Sequence, residues 1–187
     1  MSDLRDRIEA IHVRVSSPDG AITAELANRT QMRLSFAPGW YDRCDESDLE
    51  RRLSALATLL WTGRMRKYWE VLSQDAGERI IGESKPISRR AVAYREARDK
   101  MVAKGRSADG RVSVSVQGMR QWTIQVQRGT VRAIDEDAFV AAAGQAATEL
   151  IQGPVPRDRG TEAQDLRVAE RRQEWDARRD GWLPELL

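Results

Sequence analysis

Between Arg89 and Arg132 the chain carries eleven basic residues, Arg89, Arg90, Arg95, Arg98, Lys100, Lys104, Arg106, Arg111, Arg120, Arg128 and Arg132, against three acids, Glu96, Asp99 and Asp109. An arginine's planar, permanently charged fork matches two phosphate oxygens at once, so a surface bearing several of them suits a phosphodiester backbone. Such contacts hold a polyanion with little preference for its bases, because phosphates carry no sequence information. No helix-turn-helix or zinc-finger pattern suggests base reading. The competing meaning of a charge run is a solvated face with no ligand at all.

Other chemistry is poorly provided for. His12 is the only histidine and Cys44 the only cysteine, which rules out an internal disulfide and leaves no set of Cys and His ligands for a metal. His12 alternates with Ile11 and Val13, which puts it on the polar face of an expected strand with no recognisable serine or cysteine partner. Cys44 stands beside Asp45, whose charge disfavours the thiolate. Glycine-rich phosphate loops, paired-carboxylate signatures and nucleophile elbows are all missing. The expectation is a non-enzymatic binding protein with no cofactor and no metal.

Something must position the basic segment, and the chain repeats itself around it. Ser17-Pro18-Asp19-Gly20-Ala21-Ile22-Thr23-Ala24-Glu25-Leu26 is answered ninety positions later by Ser107-Ala108-Asp109-Gly110-Arg111-Val112-Ser113-Val114-Ser115-Val116. In the same register Met32, Leu34 and Phe36 fall opposite Trp122, Ile124 and Val126, and Asp45-Glu46 opposite Asp135-Glu136. Leu49, Leu53, Leu56 and Leu60 then answer Phe139, Ala143, Ala146 and Leu150. The spacing is too long for a solenoid, so it reads as one ββα unit duplicated, against a chance likeness of two amphipathic units.

With 187 residues, 41% of them apolar, the chain is long enough to bury a core, and its 31 basic and 29 acidic residues nearly cancel at net +2. Ser2 to Ala10 offers a short helix with Leu4 and Ile8 on one side. Period-two patterning over Ile11–Val15, Ile22–Leu26 and Met32–Phe36 predicts a three-stranded antiparallel meander with its first turn at Pro18-Asp19-Gly20. Asp45, Ser47 and Asp48 cap a helix from near Glu46, whose stripe Leu49, Leu53, Leu56, Leu60 resumes after Gly63 as Met65, Tyr68 and Leu72. Its second half, Trp61 to Leu72, is expected to outlast the sheet and meet the other repeat or a partner chain, with core packing the favoured use of Trp61 and Trp69.

A punctuated connector leads to a second helix over about Ser88 to Lys104, strands near 111–117 and 120–127, and a helix over 135–151. The small residues of that last helix, Ala141, Ala142, Ala143, Gly144, Ala146 and Ala147, invite another helix to approach closely. A charged helix over Thr161 to Asp180 follows, docked by Trp175, Trp182, Leu183, Leu186 and Leu187. No apolar run nears the roughly 20 residues of a membrane span. The polar N-terminus lacks the features of a secretory signal, so a cytoplasmic location without membrane contact is expected.

Met101-Val102-Ala103-Lys104-Gly105-Arg106-Ser107-Ala108-Asp109-Gly110-Arg111-Val112-Ser113-Val114-Ser115-Val116-Gln117-Gly118 is similar to the helix, glycine-containing turn and first hairpin strand of the YbaB/EbfC family of nucleoid-associated proteins. The first unit, with Ser17-Pro18-Asp19-Gly20, Met32-Arg33-Leu34 and the long helix through Tyr68, resembles the related Esp proteins of mycobacterial type VII secretion. Together the likeness covers about 11–72 and 88–151. It implies a small antiparallel sheet with helices, normally a two-fold homodimer, and a non-enzymatic role in DNA binding or in supporting secretion substrates. Two units in one chain would supply both halves, as a pseudo-dimeric monomer or a homodimer of such chains.

The expected architecture is therefore α+β, with two fused ββ(β)α units at 1–76 and 88–152, a connector at 77–87 and a charged tail at 153–187. The expected function is sequence-tolerant binding of the DNA backbone through Arg89, Arg90, Arg95, Arg98, Lys100, Lys104, Arg106 and Arg111. The alternative is a cytosolic adaptor or chaperone of a type VII-like secretion system. It would hold a protein partner through Trp61, Met65, Tyr68, Trp69 and Leu72.

Overall fold

Alternating apolar residues build two separate sheets in the computed structural model, which describes residues 4–28, 30–80 and 89–152. Strands β1 (Val13–Ser16), β2 (Ile22–Ala27) and β3 (Gln31–Phe36) pair antiparallel in that order, and so do β4 (Val102–Arg106), β5 (Val112–Gln117) and β6 (Gln121–Val126). Ile22 pairs with Phe36 and Ala24 with Leu34; Val112 pairs with Val126 and Val114 with Ile124. Around the sheets lie α1 (Leu4–Glu9), α2 (Glu46–Ala76), α3 (Arg89–Lys100), α4 (Thr130–Ala133) and α5 (Glu136–Gln152). The fold is mixed α+β, with both sheets inside one compact unit spanning Met1–Val155.

The same turn closes the first hairpin of each sheet, and its chemistry explains the residues. Ser17 is buried; its N–H donates to the Ile22 carbonyl at 2.8 Å, and its Oγ accepts from the Ile22 N–H at 3.0 Å and donates to Asp19 Oδ1 at 2.6 Å. Ser107, also buried, makes the matching bonds with Val112 and Asp109 at 2.8, 3.0 and 2.6 Å. Gly20 and Gly110 stand at φ of 70° and 72°, a left-handed conformation that costs a glycine little. The Ser17 hydroxyl, the Ala21 N–H and Arg52 hold the Asp19 carboxyl well below the usual carboxylate range. The Ser107 hydroxyl and the Arg111 N–H lower that of Asp109.

Both long helices start on an aspartate. Asp45 accepts from the Asp48 N–H and Asp135 from the Ala138 N–H, each at 2.8 Å, and Gly77 ends α2 in the left-handed region. Each helix covers its own sheet and then crosses to the other one. Helix α2 packs on β1 and β2 and also on β6, while α5 packs on β4 and β5 and also on β3. A core shared by both sheets results, with Ile22, Leu49, Leu53 and Tyr41 in one cluster with Val112, Val116, Phe139 and Ala146.

Three expectations are corrected. The helix read over 88–104 stops at Lys100, and Val102–Arg106 is a strand instead, because all five of its residues pair with β5. The small residues of α5 receive this strand and not a helix. A Cβ on Gly105 would collide with the Ala146 carbonyl oxygen and the Leu150 nitrogen and lie 2.8 Å from the Leu150 Cβ. His12 lies just outside β1, although it is exposed as anticipated. The tail helix over 161–180, with Trp175, Trp182, Leu183, Leu186 and Leu187, lies outside the described residues, as do 81–88 of the connector. No helix among the described residues is long and apolar enough to cross a membrane.

Gly105→Ala should cost at least about 1–3 kcal/mol by overpacking, whereas Gly144→Ala, where a Cβ meets nothing within 4 Å, should stabilise α5 by up to about 1 kcal/mol. Urea unfolding of the two variants tests both. Because the Asp19 and Asp109 carboxyls are depressed on folding, their stabilisation is complete above the unfolded value of about 4 and is lost as pH falls through the folded values. Denaturation midpoints measured at falling pH should drop below about pH 4, and less so in Asp19→Asn/Asp109→Asn.

Candidate nucleic-acid interface

One face of the second sheet is packed on the helices and the other is open. Cross-strand register sets three rows on the open face: Lys104, Ser115 and Thr123; Arg106, Ser113 and Gln125; Val102, Gln117 and Gln121. Strands about 4.8 Å apart make this a platform roughly 10 Å across. Seven of the nine residues are exposed, Ser113 and Ser115 are half-buried, and none is a carboxylate. The face presents hydroxyl and amide donors around two cations.

Further cations rim both ends. Exposed Lys100 closes α3 just before β4, and exposed Arg120 sits in the β5–β6 turn, held at the same end by the Gly118 N–H bond to the Met101 carbonyl at 2.9 Å. Exposed Arg128 and half-buried Arg111 flank the opposite end, where the Gln127 N–H reaches the Arg111 carbonyl at 2.7 Å. Arg106 spends Nε and Nη2 on the Gly110 carbonyl at 3.3 and 3.2 Å, which fixes its head and leaves its other N–H groups for an anion. Arg111 Nε lies 3.4 Å from Asp109 Oδ2, so its charge is partly compensated within the turn.

The first sheet shows what the second lacks. Its open face has Arg14, Glu25 and Arg33 in one row and Ser16, Thr23 and Ser35 in the next. Glu25 lies 3.3 Å from Arg14 and 3.6 Å from His12, so a carboxylate occupies the centre and compensates the Arg14 charge. Ser115 stands ninety positions after Glu25, and Lys104 ninety after Arg14. Three matched positions change charge between the faces: Glu25 becomes Ser115, Arg33 becomes Thr123 and Ser16 becomes Arg106, so the first face keeps a carboxylate among its cations and the second has none.

Of the residues singled out on charge, Lys104 and Arg106 share this face, with Lys100 at its rim and Arg111 at the turn. Arg95 and Arg98 are half-buried on α3 and engaged in other polar contacts, Arg98 lying 3.7 Å from Asp99. Arg89 and Arg90 belong to the first turn of α3, and their side chains lie outside the described ones. Charge counting missed the neutral donors Ser113, Ser115, Thr123 and Gln125. The alternation of serine with valine along 112–116 is the signal that places two of them on the face opposite the core.

The aromatic set on α2 is engaged inside the fold. Trp61 packs against Trp122 of β6 with ring centroids 6.2 Å apart, so the part of α2 beyond its own sheet meets the second one. Tyr68 packs on a small core of Ile11, Val13, Ala24 and Leu60 and meets Trp69 edge-on at 5.2 Å. Met65, Trp69 and Leu72 are half-buried as well.

Helix side chains bond part of each edge of the second sheet. On β6 the Ile124 N–H donates to Ser54 Oγ at 3.0 Å and the Val126 N–H to Glu50 Oε1 at 2.7 Å, and just beyond it the Val131 N–H donates to Glu46 Oε1 at 3.2 Å. On β4 the Arg106 N–H donates to Glu149, and past its end the Ala108 N–H donates to Gln145 Oε1 at 3.2 Å.

Among the described residues no group of three or more His, Cys, Asp or Glu could hold a metal ion. Burial pushes the Cys44 thiol up to about 11, which keeps it protonated and poorly nucleophilic at neutral pH. No protein-family model, curated protein or solved structure matches this chain. Function has to be read from the surface itself.

Removing the α2 acceptors in Glu50→Ala or Ser54→Ala should each cost about 1–3 kcal/mol, the penalty for stranding a part-buried amide. Exposed Thr58→Ala on the same helix should lie within about 0.5 kcal/mol of the parent. Thermal unfolding of the three variants checks the order.

Proposed function

We propose that the chain is a fused pair of YbaB-like ββ(β)α units that binds the DNA backbone without catalysis, in the cytoplasm, through the open face of its second sheet. The observation that carries this reading is the carboxylate-free platform of Lys104, Arg106, Ser113, Ser115, Thr123 and Gln125, rimmed by Lys100, Arg111, Arg120 and Arg128. Phosphates spaced along a strand meet cations at both ends of such a platform and neutral donors between them. Nothing on it selects among bases, so binding is tolerant of sequence.

The duplication is supported by the ninety-residue offset shared by the β2 and β3 bounds, the hairpin registers and the serine–aspartate turns. In this reading α2 and α5 exchange partners about an approximate two-fold axis. The units have diverged in role, with the cationic surface kept on one sheet only. The adaptor reading draws less support, because Trp61, Met65, Tyr68, Trp69 and Leu72 are each partly covered by the fold.

Titration of labelled duplex DNA by fluorescence anisotropy at a series of salt concentrations tests the proposal. Affinity should fall linearly in log–log form, with a slope of about −0.9 per phosphate neutralised. Lys104→Ala/Arg106→Ala should flatten that slope by about 1–2, on the order of one phosphate per cation removed. Ser115→Glu should weaken binding further, by placing on the second sheet the carboxylate the first one carries. Arg14→Ala, on the first sheet, should leave affinity unchanged. Binding indifferent to salt, or unmoved by Ser115→Glu, would overturn the assignment.

A further inference from the structure

At β1 the first sheet lacks the helix acceptors that the second has at the matching positions of β4. Where β4 has Arg106 and then Ala108 bonded to Glu149 and Gln145 of α5, the residues ninety positions earlier are Ser16 and Pro18, with Leu59 and Ala55 on α2. Both helix acceptors are gone, and at Pro18 so is one of the donors. The Ser17 N–H bond to the Ile22 carbonyl and the pairing of Val15 with Ala24 turn the backbone groups of Val13 and Val15 toward β2. Those of Arg14 and Ser16 consequently point outward, and among the described residues nothing bonds to them. At the next outward position the His12 carbonyl is already taken by Lys67 Nζ at 2.6 Å. Beside this open stretch lies a cleft of about 350 Å³ lined in part by Pro18, Ala55, Leu56 and Leu59, and the Leu59 side chain is 48% exposed.

We propose that β1 pairs antiparallel with β1 of a second copy of this chain, about a two-fold axis at Val15, so that Arg14 of each copy faces Ser16 of the other. The register follows from the groups available. Pairing Arg14 with itself sets two like charges directly opposite and calls on the His12 carbonyl, which Lys67 occupies. Pairing Ser16 with itself puts Pro18 opposite Arg14, and proline has no N–H to give. Pairing Arg14 with Ser16 uses every outward N–H and C=O of both residues, four hydrogen bonds across the axis. It also sets Val15 against Val15 in a close non-hydrogen-bonded pair and brings the exposed Leu59 of each copy toward the axis beneath the strands. The result is a six-stranded sheet continuous through two chains, independent of what the second sheet binds.

Sedimentation equilibrium of the full chain across the micromolar range is the test. The parent should have the mass of two chains. Ser16→Pro deletes an outward N–H that the monomer does not use, and Leu59→Glu supplies the acceptor that Glu149 provides on β4. Each should give a single-chain mass with circular dichroism and melting temperature kept. In a Cys44→Ser background, Val15→Cys should form an intermolecular disulfide on mild oxidation, and Ser16→Cys should not. A single-chain mass for the parent, which would leave the edge to an extended segment of another protein, overturns the proposal. So does a dimer that survives both substitutions, or one that cross-links through Ser16→Cys and not through Val15→Cys.

Discussion

A backbone amide on the edge of a sheet has to find an acceptor, and the architecture here follows from how that requirement is met on each edge. An N–H left unpaired as it is covered costs about 1–3 kcal/mol. Helix α2 belongs in sequence to the first sheet, yet Glu50 and Ser54 accept from β6 of the second, and Glu46 from the segment just beyond it. Those bonds fix the helix along a foreign strand while Leu49, Leu53 and Leu56 stay in the shared core. Helix α5 closes the opposite edge and comes so near β4 that only a glycine fits at position 105. The second sheet is thereby held by a helix along each side, with its outer face left exposed. The first sheet keeps β1 open.

In the proposed reading an exposed sheet face suits a ligand that lies flat, and electrostatics would decide which ligand. The two open faces have the same strand register, and their difference comes down to a few side chains. Glu25 sits between Arg14 and His12 on one sheet, whereas Ser115 occupies the equivalent place on the other. At a protein surface, a carboxylate within about 4 Å of a cation largely cancels its pull on a distant phosphate. Net charge for the whole chain is only +2, so the asymmetry between faces, and not the total, is what a polyanion would sense.

Much of this was legible in the chain. Aspartate-glycine followed by alternating apolar residues predicts a tight turn and the strand after it, at both 17–27 and 107–117, but gives no sign that the serine before each turn is buried. Asp45 and Asp135 announce the helix starts they cap. Strand β4 was hidden because Arg98, Lys100 and Lys104 continue a helical-looking basic run, although the ninety-residue register set it opposite β1. Tertiary partners were hidden for a deeper reason. Periodicity shows that Leu49 and Trp61 face something apolar, not that Trp61 faces Trp122. Glu50 and Ser54 read as ordinary solvated helix residues, and only the position of β6 gives them a task. For the site, charge identified Lys104 and Arg106, while the neutral serines and glutamines between the cations carried no sign that a count could register.

The central claim concerns a surface, so the most direct measurement is one that maps a surface. Backbone amide chemical shifts of the isotope-labelled chain, followed during titration with a short duplex, report which strands meet the DNA. The account predicts saturable changes along Lys104, Arg106, Ser113, Ser115, Thr123 and Gln125, with the matching positions Arg14, Thr23, Glu25 and Arg33 of the first sheet unmoved. Changes centred on α2 between Trp61 and Leu72, or shared equally by both sheets, would contradict it.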